Sequence, residues 1–142
     1  MSATEQVLRR ALLGMAALVG AGTAGELALL GHVESPPQLV PFVAIGIGVF
    51  AVVALWAAPG RATVRAARIV GGVLVLAAVF GLWEHVEHNY QFEAEIRPAA
   101  ELGELLVPSL FGGNPALAPG AVAVMGLLLG LATLRDPRLA SS

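Results

Sequence analysis

The chain has 142 residues, of which 57% are hydrophobic and 13% charged, and its formal net charge is −2. Soluble domains carry about 25% charged residues, so this chain has too little charge to cover a soluble globule of its size. The same composition excludes a disordered chain, and the lack of a basic stripe argues against nucleic-acid binding. The chain has no cysteine, which excludes disulfides, thiol catalysis and thiolate metal centres. The composition therefore predicts a small integral membrane protein surrounded by the lipid bilayer.

Four apolar stretches approach the length of about 20 residues that a helix needs to cross a bilayer. The predicted spans are residues 11–31, 39–58, 66–88 and 116–134. Proline, glycine and serine separate them at residues 35–37, 59–60 and 112–115, where Asn114 is the expected N-cap of the fourth helix. The pattern predicts an all-α fold, a single transmembrane domain built as a four-helix bundle.

The N-terminal stretch also has features of a secretory signal peptide. Arg9 and Arg10 precede an apolar run, and residues 22–24 are small, as at cleavage sites. Apolar residues continue past this position to Leu30. The sequence therefore favours an uncleaved membrane span.

Arginine sets the expected orientation, since the chain has no lysine. All arginines except Arg97 lie on one side of the predicted spans: Arg9, Arg10, Arg61, Arg65, Arg68, Arg135 and Arg138. The positive-inside rule then puts both termini in the cytoplasm. The histidines and most glutamates fall on the outer side.

The segment from residue 98 to residue 111 is more polar than the spans on either side of it. Its leucines recur at helical spacing at positions 102, 105, 106 and 110, with Glu101 and Glu104 on the other side. This spacing predicts a short amphipathic helix at the outer membrane interface. Gly103 and Pro108 leave an irregular loop as the alternative.

Small side chains favour helix packing in a membrane, where no hydrophobic effect drives the helices together. On span three one face is small and polar, with Ala77, Gly81, Glu84 and His88. On span one a similar stripe contains Ala17, Ala21, Gly25, Ala28 and His32. We expect both stripes to pack against neighbouring helices. Glu26 lies about 100° from Gly25 around the helix and is expected to face a different neighbour, such as another subunit.

Ionisable side chains within a span are costly and are therefore candidates for function. Imidazole and carboxylate groups bind zinc, copper and other transition metals, and a spacing of three or four residues stacks them on one helix face. The predicted metal ligands are His32, Glu34, Glu84, His85 and His88. Zinc or copper is the expected metal, and Glu26 is predicted to be an intramembrane acid outside this site.

Other interpretations of these side chains compete with a metal site. In one of them Glu84 and His88 only hold the helices together through hydrogen bonds, and Glu26 is a neutral acid bonded to Thr23 or to a partner subunit. A b-type haem between His32 and His85 or His88 is a further alternative. Residues 20–25 match G-x-G-x-x-G, but they lie within a span with no preceding strand, which excludes a dinucleotide site. The sequence has no nucleophile–histidine–acid arrangement, so we predict no catalytic residues.

Three groups of residues are similar to those of a known protein family. They are A-G-E-L-A-L-L-G-H-V-E over residues 24–34 with Gln38 and Pro41; His85, Asn89, Phe92, Glu93 and Glu95; and Leu117-Ala118-Pro119-Gly120 with Leu134-Arg135-Asp136-Pro137. Together they resemble a family of small bacterial four-span inner-membrane proteins that has no assigned activity. The resemblance covers most of the chain and implies the fold and the location. It also implies that His32, Glu34, His85 and Asn89 recur in the pattern of that family, whereas Glu87 and His88 are particular to this chain. This difference favours a site built on His32 and His85.

Two functions are expected from these features. The first is a non-catalytic accessory or structural subunit, whose helices pack with other membrane protein subunits or with further copies of the chain. The alternative is a periplasm-facing membrane protein that binds a transition metal through its histidines and glutamates. The short chain and the lack of catalytic groups favour the accessory role.

Overall fold

A computed structural model describes residues 2–112 and 117–139, and the regular elements within these ranges are all helical. They are α1 (Ala3–Leu29), α2 (Pro36–Ala57), α3 (Arg61–Ile96), α4 (Leu102–Phe111) and α5 (Leu117–Ala132), followed by a 3₁₀ turn over Pro137–Leu139. Helices α1, α2 and α3 are long and apolar enough to cross a membrane. The predicted all-α fold is thereby confirmed for the described residues, and the three long apolar helices support the predicted membrane protein. The expected N-cap Asn114 and the start of the fourth span at residue 116 lie outside the described residues.

Local capping explains where the first two helices begin. The Ser2 hydroxyl accepts a hydrogen bond from the Glu5 amide, and the Glu5 carboxylate accepts one from the Ser2 amide, which forms a capping box. At α2 the Gln38 side chain accepts from the amides of Glu34 and Ser35. These bonds satisfy amide groups that the first turn of a helix leaves without partners.

Helix α3 is longer than its predicted span of residues 66–88. Its 36 residues correspond to about 54 Å at 1.5 Å per residue, whereas the hydrocarbon core of a bilayer is about 30 Å thick. The helix continues without a break through the polar stretch that follows Trp83 and ends at Ile96. Its acidic and histidine-rich end therefore belongs to the same rigid element as its apolar part.

Helix α5 lies at the centre of the packing. It packs against α1 and α3 and contacts α2, while α4 packs against α3. The backbones of α3 and α5 approach closely at two glycines, because a Cβ atom on Gly71 would lie 2.8 Å from the Gly126 carbonyl oxygen and one on Gly126 would lie 2.6 Å from the Gly71 carbonyl oxygen. Met125 of α5 is fully buried and fills the space beside Gly20 of α1 and Gly48 of α2.

The packed face of α1 differs from the expected one. Its buried residues are Arg9, Leu13, Ala16, Gly20, Thr23 and Leu27. In the expected stripe Ala21, Gly25 and Ala28 are exposed, and Ala17 is half-buried. The reason is the position of Met125, which contacts α1 at Gly20 and so turns that side of the helix toward α5.

The packed face of α3 is also rotated from the expected one. Its buried residues are Val64, Ala67, Gly71, Leu74, Ala78 and Asn89. Glu84 and His88, which were expected to face inward, are exposed, and His85 is half-buried. Because Gly71 fixes the contact with α5, the residues on its line along the helix are buried, and Ala77 lies about 120° away from that line.

Candidate functional site

Four of the five predicted metal ligands line one cavity, which we call the histidine cavity. It has a volume of about 280 Å³ and is bounded by the α1–α2 connection and by α2, α3 and α5. Its polar side chains include His32, Glu84, His85 and His88. Its apolar wall includes Ala44, Ala77, Ala78, Gly81 and Val122. The cavity therefore combines an apolar interior with hydrogen-bonding side chains from two parts of the chain.

A turn after α1 places His32 at this cavity. Gly31 has a φ of 68°, a left-handed conformation that glycine adopts without steric cost. The His32 amide donates to the Leu27 carbonyl at 2.9 Å, and the Gly31 amide donates to the Ala28 carbonyl at 3.1 Å. The chain thus reverses at the end of α1 and brings His32 toward α2 and α3.

His85 is the histidine of α3 that lies closest to the packed line of the helix. It is half-buried, and its Nδ1 atom is buried without a hydrogen-bond partner in the part of the chain that the structure describes. A buried polar atom without a partner costs about 1–3 kcal/mol. The His85 ring therefore has hydrogen-bonding capacity that the described residues do not use.

The predicted ligands do not converge on one point. Among residues 2–112 and 117–139, no group of three or more histidine, aspartate or glutamate side chains is arranged to hold a metal ion. Glu34 does not line the cavity; it is exposed, and its backbone amide donates to the Gln38 side chain. A tetrahedral zinc site needs about four ligands within about 2.0–2.2 Å of the metal, so metal binding here requires side-chain rearrangement.

Glu26 lies apart from the histidine cavity, on the exposed side of α1. It follows Gly22 by four residues and Gly25 by one, and both glycines are exposed. A Cβ atom on either glycine would meet nothing within 4 Å. These residues form a second candidate site, which we call the α1 glycine face: Leu18, Ala21, Gly22, Gly25, Glu26 and Leu29.

Asn89 has a structural role that spacing alone did not indicate. It is buried, and its side-chain amide donates to the Ser109 carbonyl of α4 at 3.0 Å. A Cβ atom on Gly112 would lie 2.8 Å from the Asn89 Cγ atom, so a residue without a side chain closes this contact. The sequence feature that could have indicated its burial is its position eighteen residues after Gly71, which is five helical turns along the same face.

No protein-family model matches the chain, and searches of curated proteins and of solved structures gave no significant similarity.

Proposed function

We propose that the chain is a non-catalytic accessory subunit of a bacterial inner-membrane complex and that it packs against a partner transmembrane helix through the α1 glycine face. In this proposal α1, α2, α3 and α5 form a four-helix bundle across the membrane. The arginines put both termini in the cytoplasm, and α4 lies at the periplasmic interface. The observation that carries the proposal is the exposure of Gly22, Gly25 and Glu26 on one side of a span.

The glycines of α1 differ in what they pack against. Gly20 is buried beside Met125 and Ile45, so its missing side chain is explained by contacts within the chain. Gly22 and Gly25 have no such explanation, because both meet open space. Small residues on a membrane helix allow another helix to approach closely. The α1 glycine face therefore has the composition of a helix-packing surface, and its two glycines have no neighbouring helix among residues 2–112 and 117–139.

The depth of Glu26 supports a partner at the same place. Glu26 lies sixteen residues beyond Arg10, which is about 24 Å along a helix. Leu29 and Leu30 follow it and are 91% and 73% exposed, so apolar surface continues beyond the carboxyl group. An acidic side chain in hydrocarbon is costly unless a neighbouring helix provides a hydrogen-bond donor or a cation.

The same residue favours a different protein over a second copy as the partner. A parallel dimer through this face would place two Glu26 side chains at the same depth. Two carboxylates that share an apolar site repel each other. A partner helix with small residues and an arginine, lysine or amide side chain at that depth satisfies the carboxyl group without this cost.

Native electrophoresis of the tagged chain, extracted from its own membranes with a mild detergent, tests the proposal. The wild-type chain is expected to migrate in a larger complex with a stoichiometric partner. The double variant Gly22→Leu/Gly25→Leu is expected to migrate as a free chain, since two bulky side chains separate the helices. Gly72→Leu is the matched control, because Gly72 of α3 is also exposed and also meets nothing within 4 Å.

A free wild-type monomer or homodimer would contradict the accessory role. Retention of the double variant in the complex would instead remove the α1 glycine face from the interface. The Glu26→Leu variant tests the polar pairing of the carboxyl group with the partner separately from the close packing at the two glycines. It is expected to lose the partner while the isolated chain remains at least as stable to heat in detergent.

Metal binding at the histidine cavity is a second candidate function. The shared cavity of His32, His85 and His88 favours it, together with the buried Nδ1 atom of His85. Equilibrium dialysis of the purified protein against zinc or copper, followed by elemental analysis, tests it. Stoichiometric metal that is lost in His32→Ala/His85→Ala supports binding, and unchanged metal content in that variant contradicts it.

A further inference from the structure

A second cavity lies at the opposite end of the packed helices from the histidines. We call it the arginine cavity; its volume is about 520 Å³, and it lies where α1 begins, where α2 ends and where the chain continues after α5. Arg9, Arg10 and Arg138 line it together with Leu13, Leu55 and Trp56. The histidine cavity and the α1 glycine face contain none of these residues.

A buried carboxylate fixes two of the three arginines. Asp136 Oδ2 lies 2.8 Å from Arg9 Nη1 and 3.1 Å from Arg138 Nη1, and the Asp136 side chain is 1% exposed. The cavity lining that the structure describes holds three guanidinium groups and no carboxylate, and Asp136 lies behind two of them. Because Asp136 already holds Arg9 and Arg138 in place, little side-chain entropy is lost when an anion binds there.

The backbone that carries Asp136 is braced as well. Arg68 donates to the Thr133 carbonyl at 2.6 Å, and Arg61 donates to the Arg138 carbonyl at 3.2 Å. Arg135 has a φ of 53°, a conformation that is uncommon for residues other than glycine. This turn after α5 directs Asp136 inward toward Arg9. The positive charges therefore lie on a rigid frame and not on a flexible tail.

Apart from Gln6, the rest of the cavity lining is apolar. Leu13 and Leu55 are buried, and Trp56 is half-exposed at the end of α2. Tryptophan is enriched at membrane–water interfaces, where one part of its ring system is apolar and the other is wet. A ligand that fits both parts of this site carries an anionic group for the arginines and an apolar portion for the leucines and Trp56.

We propose that the arginine cavity binds the phosphate-bearing headgroup of an anionic membrane lipid. Guanidinium groups bind phosphate through paired hydrogen bonds, and basic pockets between membrane helices are suited to such headgroups. Asp136 pairs with both Arg9 and Arg138 and so sets the direction of their guanidinium groups. The site does not depend on the accessory role, because neither the α1 glycine face nor a partner subunit contributes to it.

Native mass spectrometry of the purified chain tests this lipid site. The detergent-solubilised protein is mixed with equal amounts of phosphatidylglycerol and phosphatidylcholine, and the bound lipids are counted. Phosphatidylglycerol is expected to be enriched in the bound fraction. Arg10→Ala is expected to lower that enrichment about fivefold, the effect of about 1 kcal/mol per arginine at a membrane surface. Arg10 is exposed, so this variant is expected to keep the wild-type melting temperature.

Arg65→Ala is the matched control for surface charge. Arg65 is exposed at the same end of the molecule but does not line the arginine cavity, so its removal changes the net charge equally and is expected to leave the enrichment intact. Equal losses in the two variants, or no preference for phosphatidylglycerol in the wild type, would overturn the proposal. Release of the lipid by an equimolar amount of inorganic phosphate would overturn it too, by assigning the cavity to a soluble anion.

Discussion

Single residues decide how closely the helices of this protein approach one another. Gly71 and Gly126 bring the backbones of α3 and α5 into contact, while Gly72, the next residue along α3, meets open space. A methyl group at either contact glycine would collide with a carbonyl oxygen of the facing helix, which cannot rotate away as a side chain can. Two adjacent glycines of one helix thus have opposite sensitivities to the same substitution.

We predict that Gly71→Ala lowers the stability of the folded chain by about 1–3 kcal/mol, the usual cost of overpacking. Gly72→Ala is expected to leave stability unchanged or to raise it slightly, since alanine is the better helix former. Unfolding in mixed detergent, monitored by circular dichroism, measures both. Equal effects of the two substitutions would show that the α3–α5 contact is looser than the structure gives it.

The second prediction at this scale concerns the buried ion pair between Arg9 and Asp136. Asp136→Asn is expected to cost about 3–5 kcal/mol of stability, because a buried guanidinium group loses its counter-charge. Glu5→Gln removes the same charge from an exposed capping residue at that end and is expected to have little effect. A double replacement by apolar residues, Arg9→Met/Asp136→Leu, is expected to cost less than Asp136→Asn. A mild effect of Asp136→Asn would show that water reaches the pair.

At the scale of elements, α3 connects the two ends of the molecule. Its first turns carry Arg61, Arg65 and Arg68, and its last turns contribute Glu84, His85 and His88 to the histidine cavity. Beyond the cavity, Asn89 joins α3 to α4 through the Ser109 carbonyl. The short helix α4 is therefore held by a polar side chain as well as by its apolar residues.

Asn89→Ala is predicted to release α4 from α3. The Ser109 carbonyl would lose its donor, at a cost of about 1–3 kcal/mol, and faster amide hydrogen exchange is expected over residues 102–111 than in the wild type. Gln91→Ala is the control, since Gln91 is exposed and its side chain contacts Glu87 on the same helix. Unchanged exchange in α4 after Asn89→Ala would mean that apolar packing alone retains the helix.

For the molecule as a whole, the distribution of charge gives an expected orientation in the membrane. Arginines surround one end of the packed helices, and histidines with glutamates lie near the other. Arg65 and Glu95 are both exposed on α3 and lie thirty residues apart, which is about 45 Å along one helix. That distance matches the full thickness of a bilayer with its headgroups.

Cysteine labelling tests this orientation, and the chain has no native cysteine to interfere. Glu95→Cys is expected to react with a membrane-impermeant thiol reagent in intact spheroplasts. Arg65→Cys is expected to react after the membrane is permeabilised and not before. The reverse pattern would invert the proposed orientation, and labelling of both positions from outside would contradict a membrane-spanning α3.

Composition and local patterns were sufficient to predict an all-helical chain with apolar spans and the positions of most of its helices. Apolar length, proline and glycine act within a few residues of themselves, and the structure confirms helices in the stretches that they mark. The same local signals placed the histidines and Glu84 near one another, and they line one cavity. They also predicted that Glu26 faces a different neighbour from Gly25, whereas the structure leaves both residues exposed on α1.

The tertiary structure decided which side of each helix is buried. Stripes of small residues occur on more than one face of α1 and α3, and spacing cannot rank them. The buried side depends on contacts with residues far along the chain. Met125 packs against Gly20 of α1, and Gly126 packs against Gly71 of α3. Once those contacts are set, Gly25 faces outward, and four of the five predicted metal ligands line a cavity without converging. Periodicity is a property of one helix, whereas burial depends on the contact between two helices. For that reason only the packed structure could assign the buried side of each helix.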